Sequence, residues 1–139
     1  MRMDVKRMSD ITAVKEILKN YAKGCNTGDF DFWMSLWADY GVHMPPDAPA
    51  VVGKEQIREN MKPVFDQFNY KVGLDILEAK VYGDLGLTRC NGTVDLTPKA
   101  GGETIHAMPD GKALTLYERQ SDGSWKIVYD CFNSNVPPT

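Results

Sequence analysis

Helical periodicity fills the first half of this chain and strand periodicity the second, and that division constrains the fold more than any single motif. Ile11, Val14, Leu18, Tyr21, Ala22 and Cys25 recur at helical spacing behind Ser9 or Asp10, which predicts a capped helix running to about Asn26. Thr27-Gly28-Asp29 ends it, and Asp29 is placed to cap a short second helix bearing Phe30, Trp33, Met34 and Trp37. Residues 40–44 read as a brief strand stopped by Pro45-Pro46. Gly53-Lys54-Glu55 opens a third helix with Ile57, Met61, Val64, Phe65 and Phe68 in one stripe, and Pro63 predicts a kink or an early end. The period then changes to two. Residues 70–82 and 85–97 read as strands joined near Gly83-Asp84, and 112–120 and 124–134 as a second pair turned by Ser121-Asp122-Gly123. The stretch from Pro98 to Gly111 reads as a looser connection. Helices first and antiparallel strands afterwards is the α+β pattern.

With 139 residues the chain makes one domain, 1–139, with residues 1–8 expected as a flexible N-terminal arm. Sixteen basic against nineteen acidic residues leave a net charge of −3, which argues against a nucleic-acid partner, since that needs a basic face. No apolar run is long enough for a membrane span, and Met1-Arg2-Met3-Asp4 lacks the apolar stretch of a leader, so a cytoplasmic address and no membrane partner are expected. Cys25, Cys90 and Cys131 form no closely spaced pair, and only His43 and His106 could join them. No metal site and no cofactor are expected.

The order of short motifs is more specific than any one of them. Asn20-Tyr21, Asn26-Thr27-Gly28-Asp29, Trp37-Ala38-Asp39, Pro45-Pro46, Gly53-Lys54-Glu55-Gln56-Ile57 and Asp122-Gly123-Ser124-Trp125-Lys126-Ile127 follow one another along the chain. In that order they resemble the nuclear transport factor 2-like superfamily, in its ketosteroid isomerase and polyketide cyclase-like branch, over about residues 10 to 135. The resemblance implies a cone: a strongly bent antiparallel sheet wrapped around three helices, with an internal pocket open at one end. It does not fix a chemistry, because one fold hosts many. A sheet with helices on only one side must cover the other, so a homodimer through the outer sheet face is expected.

The resemblance also selects residues. Tyr21 falls where ketosteroid isomerases carry the tyrosine that hydrogen-bonds a substrate oxyanion. Their catalytic-base aspartate is matched by Pro45 and their second oxyanion-hole aspartate by Thr115, so isomerisation of steroids by that route is not expected. His43, two residues before Pro45, shares its face on a strand and titrates near neutral pH. For Asp130 two arguments conflict. Alternation puts Val128, Asp130 and Phe132 on one strand face and the more apolar Trp125, Ile127, Tyr129 and Cys131 on the other. The resemblance makes Phe132 a pocket liner and carries Asp130 inward with it; the resemblance is followed here. A carboxylate in an apolar pocket is desolvated and shifted towards the range of a general acid or base.

Tyr21, His43 and Asp130 are therefore the catalytic candidates. Trp33, Trp37, Pro45, Phe65, Thr88, Cys90, Thr115, Tyr117 and Phe132 are the expected pocket lining, with Gly92 as a gap or a bend. Asp75, Arg89, Asn91 and Asp95 fit the outer face. Three functions stay open: a proton-transfer enzyme (isomerase, dehydratase or cyclase-like) acting on a small apolar or mixed-polarity molecule, a ligand-binding protein without turnover, and an association module working through its outer sheet.

Overall fold

The structure, a computed structural model, describes residues 2–138, with side chains from Val5 onward. Helix α1 (Arg2–Thr27) begins at Arg2. The stretch expected as an arm thus continues the helix, with residues 5–9 exposed, and Met1 lies outside the described residues. Val14, Leu18 and Cys25 are buried along one face of α1. Gly28 at φ 68° makes the turn, and helix α2 (Phe30–Ser35) starts at the Asp29 cap, whose Oδ1 accepts from the Phe32 N–H at 3.1 Å.

Strand β1 (Trp37–Met44) is longer than the expected 40–44, and the two-residue β2 (Val51–Val52) pairs with it across the proline turn. Helix α3 (Lys54–Gln67) continues past Pro63, so the expected early end does not occur. Pro63 and Glu59, whose carbonyl loses its partner there, are both exposed, so water can satisfy the freed group. Four long strands follow: β3 (Phe68–Tyr82), β4 (Leu85–Pro98), β5 (Ile105–Arg119) and β6 (Trp125–Ser134). Together they form one curled, unclosed sheet in the order β2-β1-β6-β5-β4-β3. The chain adopts the cone-shaped α+β fold.

Three details correct the expectation from sequence. The sheet is not wholly antiparallel, because β1 pairs parallel to β6 after a connection long enough to cross over. Strand β5 starts at Ile105, inside the stretch expected as loose. Pro109, lacking an N–H, falls where the β4–β5 register shifts between the Gly92–Gly111 and Val94–Met108 pairs, an irregularity that accommodates a proline. Finally, β6 contains a bulge. Leu116 faces Tyr129 while Tyr117 faces Ile127, which leaves Val128 as the extra residue.

The helices pack into the concave face of the sheet around Trp33, Trp37, Ile57, Phe65, Tyr117, Trp125 and Ile127. Arg119 ties α1 to the sheet: it bonds Asp10 at 2.5 Å and Asp84 at 2.9 Å and lies 4.5 Å over the Trp125 ring. Asn26 pins the end of α1 to β3 by donating to the Val72 carbonyl and accepting from the Val72 N–H. Where β4 and β5 bend, Gly92 faces Gly111, and a Cβ on Gly92 would stand 2.9 Å from the Gly73 carbonyl oxygen. No helix among the described residues is long and apolar enough to cross a membrane.

Candidate functional site

The bulge at Val128 changes which side chains of β6 look inward. Before it, Trp125 and Ile127 face the core; after it the phase reverses, and Asp130 and Phe132 face inward while Tyr129 turns out. Both conflicting arguments about β6 therefore hold, each for one half of the strand. Strand pairing then aligns four polar residues in one row across the concave face. His43 on β1 faces Asp130 on β6, Asp130 faces Thr115 on β5, and Thr115 faces Thr88 on β4. All four are buried.

Above this row lies a cavity of about 260 Å³, bounded by α1, α3 and the strands. Its walls are mainly apolar, with Leu18, Val64, Leu74, Leu96 and Met108 among them. Tyr21, His43, Thr115 and Asp130 bring polar atoms to it, and Pro45, Cys90 and Phe132 line it too. The three catalytic candidates thus meet in one cavity.

Within the row, Thr115 Oγ1 donates to Asp130 Oδ1 at 3.1 Å, and Asp130 Oδ2 stands 3.7 Å from His43 Nε2. The Tyr21 hydroxyl is near enough to Asp130 for each to alter the other's proton affinity. Burial raises the Asp130 pKa above the usual carboxylate range, opposed by His43, Tyr21 and Thr115. Burial likewise lowers the His43 pKa, opposed by Asp130. Both shifts favour the uncharged forms. The two His43 ring nitrogens have no hydrogen-bond partner. Tyr21 is pushed far above its ordinary range, first by burial and then by the Asp130 charge, so its phenol stays a donor.

Five residues expected in the lining are not there. Trp33 and Trp37 sit deeper, in the core, and meet His43 edge-on with ring centroids 6.3 Å and 5.6 Å away. Phe65 packs at a tilt between Trp33 and Tyr70, because α3 turns it to the helix layer and gives Met61 and Val64 to the cavity. Thr88 and Tyr117 lie beneath the floor, their hydroxyls 2.8 Å apart. These residues shape the site from behind.

The sequence pattern gave no hint of Asn60, on the exposed side of α3, or of Met108, inside the stretch expected as loose; both line the cavity. His106 does not approach it: its Nδ1 is 2.8 Å from Asp95 Oδ1 on the surface. Asp75, Arg89 and Asn91 are exposed, and Arg89 bonds Glu78 at 2.6 Å. All three cysteines are free thiols, and burial pushes Cys90 up to about 11, out of the reactive range. Among the described residues no cluster of ligands could hold a metal ion.

The family model of the SnoaL-like domain matches residues 14–132. No curated protein matches the chain. Among solved structures, a ketosteroid isomerase-like protein from Erwinia carotovora atroseptica is 25% identical, with TM-score 0.80 over 92% of this chain and 98% of that one. A nuclear transport factor 2-like superfamily protein from Salmonella enterica superposes with TM-score 0.81 at 17% identity, covering 95% and 96% of the two chains. A candidate dehydratase of the same superfamily from Streptomyces avermitilis gives TM-score 0.80 at 18% identity, covering 94% and 99%.

Proposed function

The chain belongs to the SnoaL-like domain family of the nuclear transport factor 2-like superfamily, and from that premise we propose that it is an enzyme moving a proton on a small, mainly apolar molecule. The observation that carries this reading is the His43–Asp130 pair, in register across β1 and β6 and buried in an otherwise apolar cavity. Neutral His43 is the proton acceptor, with an unpartnered nitrogen for the ligand. Asp130 Oδ2 is the group that returns the proton or stabilises the imidazolium as it forms. Tyr21 donates a hydrogen bond to the oxygen on which charge develops. The 3.7 Å separation is long for a hydrogen bond, and catalytic contacts of this kind tighten when substrate binds. Isomerisation, dehydration and cyclisation of a carbonyl compound all begin with this step.

Pro45 and Thr115 do not supply a base, and Thr115 spends its hydroxyl hydrogen on Asp130. The route therefore differs from that of ketosteroid isomerases in which group takes the proton. Exchange at the α-carbon tests it directly. A panel of small cyclic ketones in D₂O, followed by proton NMR, should lose α-protons faster with protein than with buffer. His43→Gln and Asp130→Asn should each slow that exchange by roughly 10²-fold or more. Ketones that bind, seen as a raised melting temperature, but exchange no faster than in buffer would make the cavity a binding site without turnover.

A further inference from the structure

The inward face of β5 leads from the polar row to the far end of the cavity. Thr115 stands in the row, and Ala113 and Gly111 follow it at the strand's period of two, all three lining the cavity. Continued alternation would turn Pro109 inward next, but the register prevents it. Between the Gly92–Gly111 and Val94–Met108 pairs, β4 has the single residue Thr93 and β5 has two, Pro109 and Asp110. The extra residue reverses the phase, and Met108 turns inward in place of Pro109. Met108 is 7% exposed, and among residues 105–110 it alone is buried.

The Met108 side chain lies back over Gly111. A Cβ on Gly111 would run into Met108 Cγ and stand 3.0 Å from its Sδ, with the Gly92 carbonyl oxygen 3.2 Å away. Gly111 is not among the glycines with positive φ, so space and not backbone conformation calls for glycine here. It forms the notch in which the thioether rests. At about 3.3 Å per residue, the strand from Thr115 to Gly111 gives roughly 13 Å of wall between the polar row and this notch.

We propose that Met108, seated on Gly111, is the end wall that sets the length of ligand the cavity accepts, and that the ligand is a carbonyl compound whose apolar arm runs from the polar row along β5 to the thioether. The proposal rests on the reading that puts the carbonyl at Tyr21, His43 and Asp130. It adds which part of the molecule is selected and by which residue. Methionine is unbranched and polarisable, so its tip yields to a slightly longer arm and the limit is graded. A side chain at 111 removes the notch and drives the thioether towards the space of the ligand.

The test compares the binding of 4-methyl-, 4-propyl- and 4-pentylcyclohexanone by calorimetry. Met108→Ala takes Cγ, Sδ and Cε from the wall, so the preferred arm should lengthen by about three carbons. The pentyl ketone should then gain roughly 10-fold in affinity relative to the methyl one. In Gly111→Ala the pentyl ketone should lose roughly 10-fold while the methyl one changes little, and adding Met108→Ala should remove that loss. A denaturant titration without ligand reads the seat itself. Gly111→Ala should lower the unfolding midpoint, and far less so in a Met108→Ala background, where only the Gly92 oxygen has to give way. Met108→Ala alone carries the length measurement should Gly111→Ala fail to fold. Equal lowering in both backgrounds, the same ranking of the three ketones in wild type and Met108→Ala, or no binding of any of them overturns the proposal. Ketones selected by length in this way but exchanged no faster than in buffer would sink the proton-transfer reading and leave the end wall standing.

Discussion

Asp130 and His43 respond to pH in opposite senses, and stability measures both. Asp130 has its folded pKa raised, chiefly by burial, so folding takes up a proton there. Its contribution to stability is complete below the ordinary carboxylate value near about 4 and is lost as pH rises through the folded value. His43 has its folded pKa lowered by burial. Its contribution is present above the ordinary value of about 6.5 and is lost as pH falls through the folded value. Asp130→Asn keeps an oxygen for the Thr115 hydroxyl and abolishes the first dependence. Its melting temperature relative to wild type should therefore climb as pH is raised from 4 to 8. His43→Gln should flatten the acid side instead. A difference between Asp130→Asn and wild type that stays level across this range would show that burial does not govern the carboxyl.

At the scale of elements, what was legible and what was not divide along physical lines. Helix α2 announced itself through Asp29, because a cap is a local event between a side chain and an amide three residues on. The inward turn of Asp130 did not, because alternation carries no mark for an extra residue. A bulge is specified by the partner strand, here by Leu116 and Tyr117 facing Tyr129 and Ile127. Strand β5 is not legible from Ile105 onward for a related reason: Gly111 and Pro109 look like breakers until Gly111 is seen opposite Gly92 and Pro109 within the register shift beside that pair. Trp33 and Trp37 illustrate the converse. Large rings at helical spacing say that a face is buried without saying against what, and these two lie behind His43 and do not line the cavity.

Gly92 offers the clearest test of how the elements make the cone. Its neighbours leave no room for a Cβ, since the Gly73 oxygen would be 2.9 Å and Leu74 Cδ2 3.2 Å away. The first of these is backbone in the adjoining strand, which cannot step aside as a side-chain tip would. Gly92→Ala should lower stability by about 1–3 kcal/mol in a denaturant titration. Because Gly92 also lines the cavity, the variant should lose ketone binding along with stability. An alanine protein as stable as wild type would mean that the bend relaxes elsewhere in β3 or β5.

For the whole molecule, the outer face of the same strands is where the expected dimer would form. Strand pairing sets Val42, Tyr129, Leu116 and Leu87 in one row across β1, β6, β5 and β4, and Met44, Cys131 and Leu114 in the next. Tyr129 is 46% exposed and Leu114 45% exposed, although the helices have already covered the other side of the sheet. A contiguous apolar patch on an uncovered sheet face marks an interaction surface, and a second copy of the chain can cover it symmetrically. The expected state is a homodimer at micromolar concentration, read as twice the chain mass by light scattering. Leu114→Asp places a charge at the centre of the patch, where two copies would bury it without a partner, and should weaken association by roughly 100-fold or more. A wild-type protein of single mass would sink the dimer. The variant also tests how the two faces communicate: β6 carries Tyr129 and Cys131 outward and Asp130 and Phe132 inward. Loss of the partner should therefore loosen the strand that holds Asp130 against Thr115, and the Leu114→Asp monomer should show faster amide hydrogen exchange along β6 than along β3, which lies at the far edge of the sheet.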